Sequence, residues 1–340
     1  MPYTALFVYN YIKTAINMIR REKMSDFRKV ISKAGEIIDF DTEFEEYTRI
    51  RTGVPAKKGT IERVDYTTSV YEDGKTYPKF CYVYLPYGYD KDDKSKKYNV
   101  LYYQHGNTCA PDIFSIGGNK PMLDMLFDSG EIDPCIIVSI TYYFDPMGDA
   151  DQRILTGQVP AGDGGWEGVP GYYYKEVVQD IIPAVEMKYN TYLEDPSLEG
   201  VKASRDHRCF SGYSRGGVMT WRILHHDFEY FRWFAPMSCG TRGDKKRGEP
   251  MTDQEVIDYV TEPIKAHPEL PFFIYGTNGG KEDVAQMTEQ MKFLTKQDVF
   301  SYGTDPVKNN IYFSVSDFYH TDFLVPYYYW NSLRTIFKGI

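Results

Sequence analysis

The sequence predicts an α/β protein with a mainly parallel central sheet and helices on both faces. Three observations carry this. Stretches with strand patterning alternate with stretches of helical spacing along most of the chain. The unbroken apolar run 135–140 has the character of a central parallel strand covered on both sides. Finally, the apolar-leaning segment 207–210 leads through Ser211-Gly212-Tyr213-Ser214-Arg215-Gly216-Gly217 into a helix-like run at 218–224, a strand, tight turn and helix in succession. A length of 340 residues suits one large α/β domain or two small ones.

Residues 1–56 read as an N-terminal helical extension. Phe7, Val8, Tyr11, Ile12, Ala15, Ile16 and Ile19 recur at helical spacing, and Ser25 suits the cap of a short helix through Phe27, Val30 and Ile31. Thr42-Glu43-Phe44-Glu45 resembles a capping box for a third helix, and Gly53-Val54-Pro55 ends the region. The main domain, 57–340, opens with two alternating, β-branched and aromatic segments, 61–70 and 79–85, joined by the turn Glu72-Asp73-Gly74-Lys75 as an antiparallel pair. Strands follow at 98–104, 135–140, 231–237, 271–275 and 310–315, with helices at 122–127, 177–189, 253–265, 284–294 and 327–337. Residues 142–172 have little periodicity and are rich in Gly and Pro, as in a lid or binding insertion.

Composition narrows the function. A net charge of -9 argues against a nucleic-acid groove, and no apolar run is long enough to span a bilayer. The five cysteines lack CxxC spacing and read as small buried residues, so neither a disulfide frame nor a metal site is expected. Arg20-Arg21 follows the first apolar stretch, the reverse of an export signal, which favours a cytoplasmic protein; a trimmed signal would make it secreted.

The chemistry centres on Ser214. Gly-x-Ser-x-Gly on a strand-to-helix turn is a nucleophile elbow: the glycines let the backbone fold tightly, and the turn lifts the hydroxyl clear of the sheet. A Gly-rich surface turn with an incidental serine is the plainer alternative. Serine needs a base and an orienting acid. Of six histidines, His320 follows the last predicted strand, where a carboxyl-end loop reaches the serine. His105 suits the shaping of a loop, while His207, His225, His226 and His267 fall at positions facing elsewhere. The acid is expected between serine and histidine in the chain, at Asp283, with Glu282 as competitor and helix capping as the alternative role. Two donors for an oxyanion are expected from the backbone N–H groups of Arg215 and Asn107, the second in the loop His105-Gly106-Asn107-Thr108. Trp166, Tyr142, Tyr143 and Tyr172 are candidates for stacking on a substrate ring or sugar, or for packing within their own loop.

The runs 206–217 (Asp-His-Arg-Cys-Phe-Ser-Gly-Tyr-Ser-Arg-Gly-Gly), 231–238 (Phe-Arg-Trp-Phe-Ala-Pro-Met-Ser) and 98–106 (Tyr-Asn-Val-Leu-Tyr-Tyr-Gln-His-Gly) resemble the feruloyl esterases of carbohydrate esterase family 1, in the α/β-hydrolase superfamily. Gly276-Thr277 leading to Asp283-Val284-Ala285 is similar to that family's acid loop, although lengthened by Gly279-Gly280-Lys281, and His320 matches its histidine. The family more often has methionine after the serine, where this chain has Arg215. The resemblance begins near Ile61. It implies an α/β-hydrolase fold and hydrolysis of hydroxycinnamoyl esters on arabinoxylan fragments, with no cofactor and an acylated oligosaccharide as substrate. Acetyl-xylan esterases, enterobactin-type esterases and S-formylglutathione hydrolases share much of the same frame, so an acetyl-xylan or other small-acyl esterase is the alternative. A non-catalytic carbohydrate-binding protein built on it is the alternative from another class.

Overall fold

In a computed structural model of the chain, residues 29–31, 37–39, 52–106, 112–115, 119–143, 171–241, 251–279, 287–316, 318–320 and 325–340 are described. The N-terminal region departs from the helical expectation where it is described. β1 (Lys29–Ile31) pairs antiparallel with β2 (Ile37–Asp39). The β-branched residues Val30, Ile31, Ile37 and Ile38 favour that ladder over the short helix expected after Ser25. The other proposed helices of residues 1–56 lie outside the described residues.

β3 (Thr60–Thr68) and β4 (Tyr77–Leu85) form the expected antiparallel hairpin. In β3, Val64, Tyr66 and Thr68 point inward while Arg63, Asp65 and Thr67 face solvent, the period-2 pattern of a strand with one wet face. β5 (Val100–Gln104) leads toward α1 (Asn119–Asp128), and β6 (Ile136–Ile140) follows. The helix expected at 177–189 begins earlier, as α2 (Tyr173–Glu176), passes through a π-helical segment (Val177–Ile181) and continues as α3 (Ile182–Glu186). Pro183, which has no N–H to donate, stands in the first turn of α3. The short α4 (Leu198–Ala203), capped by Ser197, was not anticipated.

β7 (Arg208–Tyr213) then feeds α5 (Arg215–Asp227), and β8 (Trp233–Met237) precedes α6 (Asp253–Ala266). Thr252 and Glu255 close a capping box at the start of α6, which is why that helix starts where the sequence places it. β9 (Phe273–Gly279), α7 (Met287–Leu294), β10 (Ile311–Ser316) and α8 (Val325–Ser332) complete the order.

The large sheet has eight strands in the order β10-β9-β8-β7-β5-β6-β4-β3. From β10 to β6 every pairing is parallel, and β4 and β3 extend the sheet antiparallel. Alternate residues of β5 serve opposite faces: Val100 and Tyr102 join one core with Val138, Phe210, Trp221 and Phe234, while Leu101 and Tyr103 join another with Ile137, Trp233 and Trp330. Two packed faces are what the near-continuous apolar strands require. Residues 301–303 run beside β10, where Tyr302 bridges to Ile311 and its hydroxyl donates to the Phe313 carbonyl at 2.9 Å. Among the described residues no helix is long and apolar enough to cross a membrane.

Two buried ion pairs tie helices to the sheet. Arg208 meets Glu186 through two bonds, of 2.6 and 2.8 Å, and also donates to Ser204 Oγ and to the carbonyls of Val201 and Tyr230. Lys79 lies 2.6 Å from Glu176, whose carboxylate also accepts from the hydroxyls of Tyr66 and Tyr71. Burial lowers the Lys79 pKa and Glu176 opposes that shift. Both carboxylates thus have the several donors that a buried charge needs. The second cluster fixes α2 at the point where the chain returns from the 142–172 region.

Candidate active site

The turn between β7 and α5 has the strained backbone expected of an elbow. Ser214 sits at φ 58 and ψ −116, a conformation that favours glycine. Close packing leaves room for nothing larger at the surrounding glycines. A Cβ on Gly212 would lie 2.7 Å from Gly216 Cα, and one on Gly217 would lie 2.6 Å from the Met237 carbonyl oxygen. The bend is held from the next strand, since Ser214 N–H donates to the Met237 carbonyl at 2.9 Å. Although Ser214 stands at the N-cap of α5, its hydroxyl makes no capping bond. It is turned instead to His320, with Oγ 2.9 Å from Nε2.

His320 arrives from the loop after β10, and its ring lies 4.8 Å from that of Tyr213, the last residue of β7. The sheet order explains how a residue 106 positions away comes to the serine: β10, β9, β8 and β7 are adjacent and parallel, so their carboxyl-end loops gather on one side. A serine hydroxyl within hydrogen-bond reach of an imidazole is the geometry that general-base activation requires. The loop after β5 reaches the same place: a Cβ on Gly106 would lie 3.3 Å from Ser214 Cβ.

The other histidines are occupied elsewhere. His207 stacks on Tyr192, and its Nδ1 is 2.8 Å from Asn99 Oδ1. His225 Nδ1 donates to the Tyr259 carbonyl, His226 stacks on Tyr174, and His267 lies 3.7 Å from Glu269. His105 is buried, with Nδ1 on the Gly106 carbonyl and Nε2 on Thr141 Oγ1, the loop-shaping place its sequence context suggests.

Arg215 opens α5, and its side chain is buried. Tyr142 and Tyr143 are 0% and 1% exposed, so both rings are enclosed by protein and present no face for stacking on a ligand. They pack on His105 at 4.9 and 5.0 Å, and Tyr142 donates to the Gly106 carbonyl at 3.1 Å. Their position directly after β6, a central strand, buries them. Tyr172 is half-buried, with the Lys175 ammonium 3.7 Å from its ring centre. Asn107, Trp166, Glu282 and Asp283 lie outside the described residues. Sequence reasoning missed Thr141 and Ser238. Ser238 follows β8 at φ 56 and donates its N–H to the Thr277 carbonyl, and nothing in its local sequence signals that backbone. Three of the four described cysteines, Cys81, Cys135 and Cys209, are buried thiols, and burial raises the pKa of each.

A hydroxyl on a strand-to-helix elbow of a mostly parallel sheet, met by an imidazole from a later carboxyl-end loop, defines a serine hydrolase of the α/β-hydrolase fold. The chain belongs to the Esterase family, whose model matches residues 79–297. It is 31% identical over 241 residues to endo-1,4-beta-xylanase Y of Acetivibrio thermocellus, a match covering 69% of this chain and 19% of that protein. It is 28% identical over 181 residues to an endo-1,4-beta-xylanase/feruloyl esterase of Xylanibacter ruminicola, covering 52% of this chain and 21% of that protein. The chain thus spans about a fifth of the length of these curated relatives. Among solved structures, a serine-to-alanine mutant of the feruloyl esterase module from Clostridium thermocellum, complexed with sinapinate, matches with a TM-score of 0.70 and 27% identity, covering 88% of this chain and 95% of that one.

Proposed function

We propose that this esterase hydrolyses hydroxycinnamoyl esters of plant cell-wall oligosaccharides, with Ser214 as nucleophile, His320 as general base and Asp283 as the acid that orients the imidazole. The observation that carries the reading is the 2.9 Å contact between Ser214 Oγ and His320 Nε2 on a strained elbow. Support for the acyl group comes from the sinapinate-bound feruloyl esterase module and from the xylanase/feruloyl esterase relative.

In the first half-reaction Ser214 Oγ forms a bond to the ester carbonyl carbon while its proton passes to His320 Nε2. The carbonyl oxygen becomes an oxyanion, for which the backbone N–H groups of Arg215 and Asn107 are the proposed donors. Collapse breaks the bond to the sugar oxygen, which takes the proton from the imidazolium. Water, deprotonated by His320, then forms a bond to the acyl carbon; collapse breaks the bond to Ser214 Oγ, which takes the proton back from the imidazolium, and the free hydroxycinnamate leaves. Every step is a proton or acyl transfer.

A substrate panel tests the reading. Methyl ferulate and a feruloylated arabinose ester should be cleaved at least about tenfold better, by kcat/KM, than an acetylated xylo-oligosaccharide; the reverse order would assign the acetyl ester instead. Ser214→Ala should abolish turnover, since removing a triad serine costs on the order of 10⁶ in kcat. Of Asp283→Asn and Glu282→Gln, the first should lose most of kcat and the second little.

A further inference from the structure

We infer that His105, Thr141 and Tyr142 form a buried positioning device that aims the oxyanion-binding amide following Gly106. This rests on the reading that the loop after β5 supplies that amide. The Gly106 carbonyl oxygen accepts two hydrogen bonds, from His105 Nδ1 at 2.7 Å and from the Tyr142 hydroxyl at 3.1 Å. Both of its lone-pair directions are therefore engaged. A peptide unit is planar, and in the trans form its N–H points opposite to its C=O. Whatever fixes the Gly106 carbonyl thus fixes the direction of the next amide. Donation to the carbonyl also polarises the peptide, which makes its N–H a stronger donor.

The histidine tautomer follows from the same bonds. A carbonyl oxygen only accepts, so His105 Nδ1 carries a proton. In the neutral ring Nε2 is then an acceptor, and its neighbour at 2.7 Å, Thr141 Oγ1, is the donor. Thr141 Oγ1 in turn accepts the N–H of Tyr143 at 3.1 Å. The result is a directed chain: Tyr143 N–H to Thr141, Thr141 O–H to His105, His105 N–H to Gly106, with Tyr142 O–H as the second donor. His105, Thr141, Tyr142 and Tyr143 are all 1% exposed or less, so water does not compete for these bonds. Three of the four come directly after β6, the strand paired with β5, so the carboxyl end of one central strand steadies the loop of its neighbour. The Tyr142 ring is separately wedged by Tyr143 and Tyr173, at 4.7 and 6.1 Å, so its packing does not depend on its hydroxyl.

The test uses the whole chain and two side-chain deletions that preserve shape. Tyr142→Phe removes one of the two donors to Gly106. Thr141→Val removes the group that holds the His105 tautomer. Losing an oxyanion donor outright costs about 10²–10³ in kcat. Loosening its aim through one of two tethers should cost about tenfold in each variant and about 10² in the double variant. KM for methyl ferulate and the affinity for coniferyl alcohol, a neutral hydroxycinnamyl compound, should stay within about twofold, because neither places a negative oxygen at the oxyanion donors. Affinity for phenylboronic acid, whose serine adduct is tetrahedral, should fall by the same factor as kcat. The inference is overturned if the folded variants keep kcat within about twofold, or if boronate and coniferyl alcohol affinities fall together. If Tyr142→Phe fails to fold, Thr141→Val decides alone. A fluorophosphonate should label the wild type at Ser214; absence of that label would overturn the esterase site and this inference with it, whereas a labelled wild type with unaffected variants overturns the inference alone.

Discussion

Gly216→Ala probes the elbow most directly. A methyl group at this position would meet the Gln104 carbonyl carbon at 2.8 Å and the His105 carbonyl oxygen at 3.0 Å, and the Gln104 carbonyl oxygen closer still. Carbon atoms pack comfortably at about 3.5–4.0 Å, so α5 and β5 must separate by roughly 1 Å. Neither side yields cheaply, because the obstacle is main chain and not a flexible side-chain end. Gln104 is held in the ladder between Ile140 of β6 and Gly212 of β7, and Gly216 stands in the first turn after Ser214. Overpacking a close-fitted interior costs about 1–3 kcal/mol, and more where the backbone itself must move. We expect a loss of at least about 3 kcal/mol by urea denaturation. The same displacement shifts the serine relative to the loop after β5, and a misplacement of about 1 Å can cost on the order of 10² in rate. Fluorophosphonate labelling of the folded fraction should therefore slow about 100-fold. If Gly216→Ala unfolds within about 0.5 kcal/mol of wild type and labels at the wild-type rate, the account of the elbow as a close-packed junction is wrong.

Ser214→Gly should abolish esterase turnover yet unfold at higher urea than Ser214→Ala, by about 1 kcal/mol, because glycine relieves the φ 58 backbone and alanine does not; equal midpoints would remove the case for strain. Thr252→Ala should cost about 1 kcal/mol in urea unfolding by opening the capping box of α6, with kcat/KM unchanged. Burial holds the Tyr66, Tyr71, Tyr102, Tyr173 and Tyr329 pKa values well above the ordinary 10.0. Their folded values are raised, so the unfolded chain releases these protons first. Stability should be intact below pH 10 and fall above it, each tyrosine adding up to about 1.4 kcal/mol per pH unit. Unfolding free energies that stay flat from pH 9 to 11.5 would contradict this.

Much of the fold was legible because its signals are local. A continuous apolar run announced β6, alternating β-branched and aromatic segments announced the β3–β4 hairpin, and the helix read from 253 matches α6. The elbow could be read because tight backbone geometry leaves glycines behind, and His320 because chain order and a strand end together narrowed six candidates to one. Other features depend on partners distant in sequence. The burial of Tyr142 and Tyr143 follows from their place beside β5, not from their loop-like composition. The short ladder of β1 and β2 replaced an expected helix because cross-strand pairing outweighed an apolar spacing that also fits a helical turn. The π-helical segment before Pro183 and the backbone of Ser238 have no residue signature at all.

The two margins of the large sheet are finished differently, and this bears on how the protein behaves when concentrated. A bare outer strand is an invitation for another chain to extend the sheet, by swapping or by fibril growth. At one margin β3 turns the charges of Arg63 and Asp65 to solvent, which penalises a second β-ribbon laid alongside. At the other, residues 301–303 already use hydrogen-bonding capacity of β10, through Gly303 N–H to the Ile311 carbonyl and the Tyr302 hydroxyl to Phe313. Self-association by sheet extension is thereby discouraged at both ends, so a variant that strips the charges of β3 would be the one to watch for aggregation on storage.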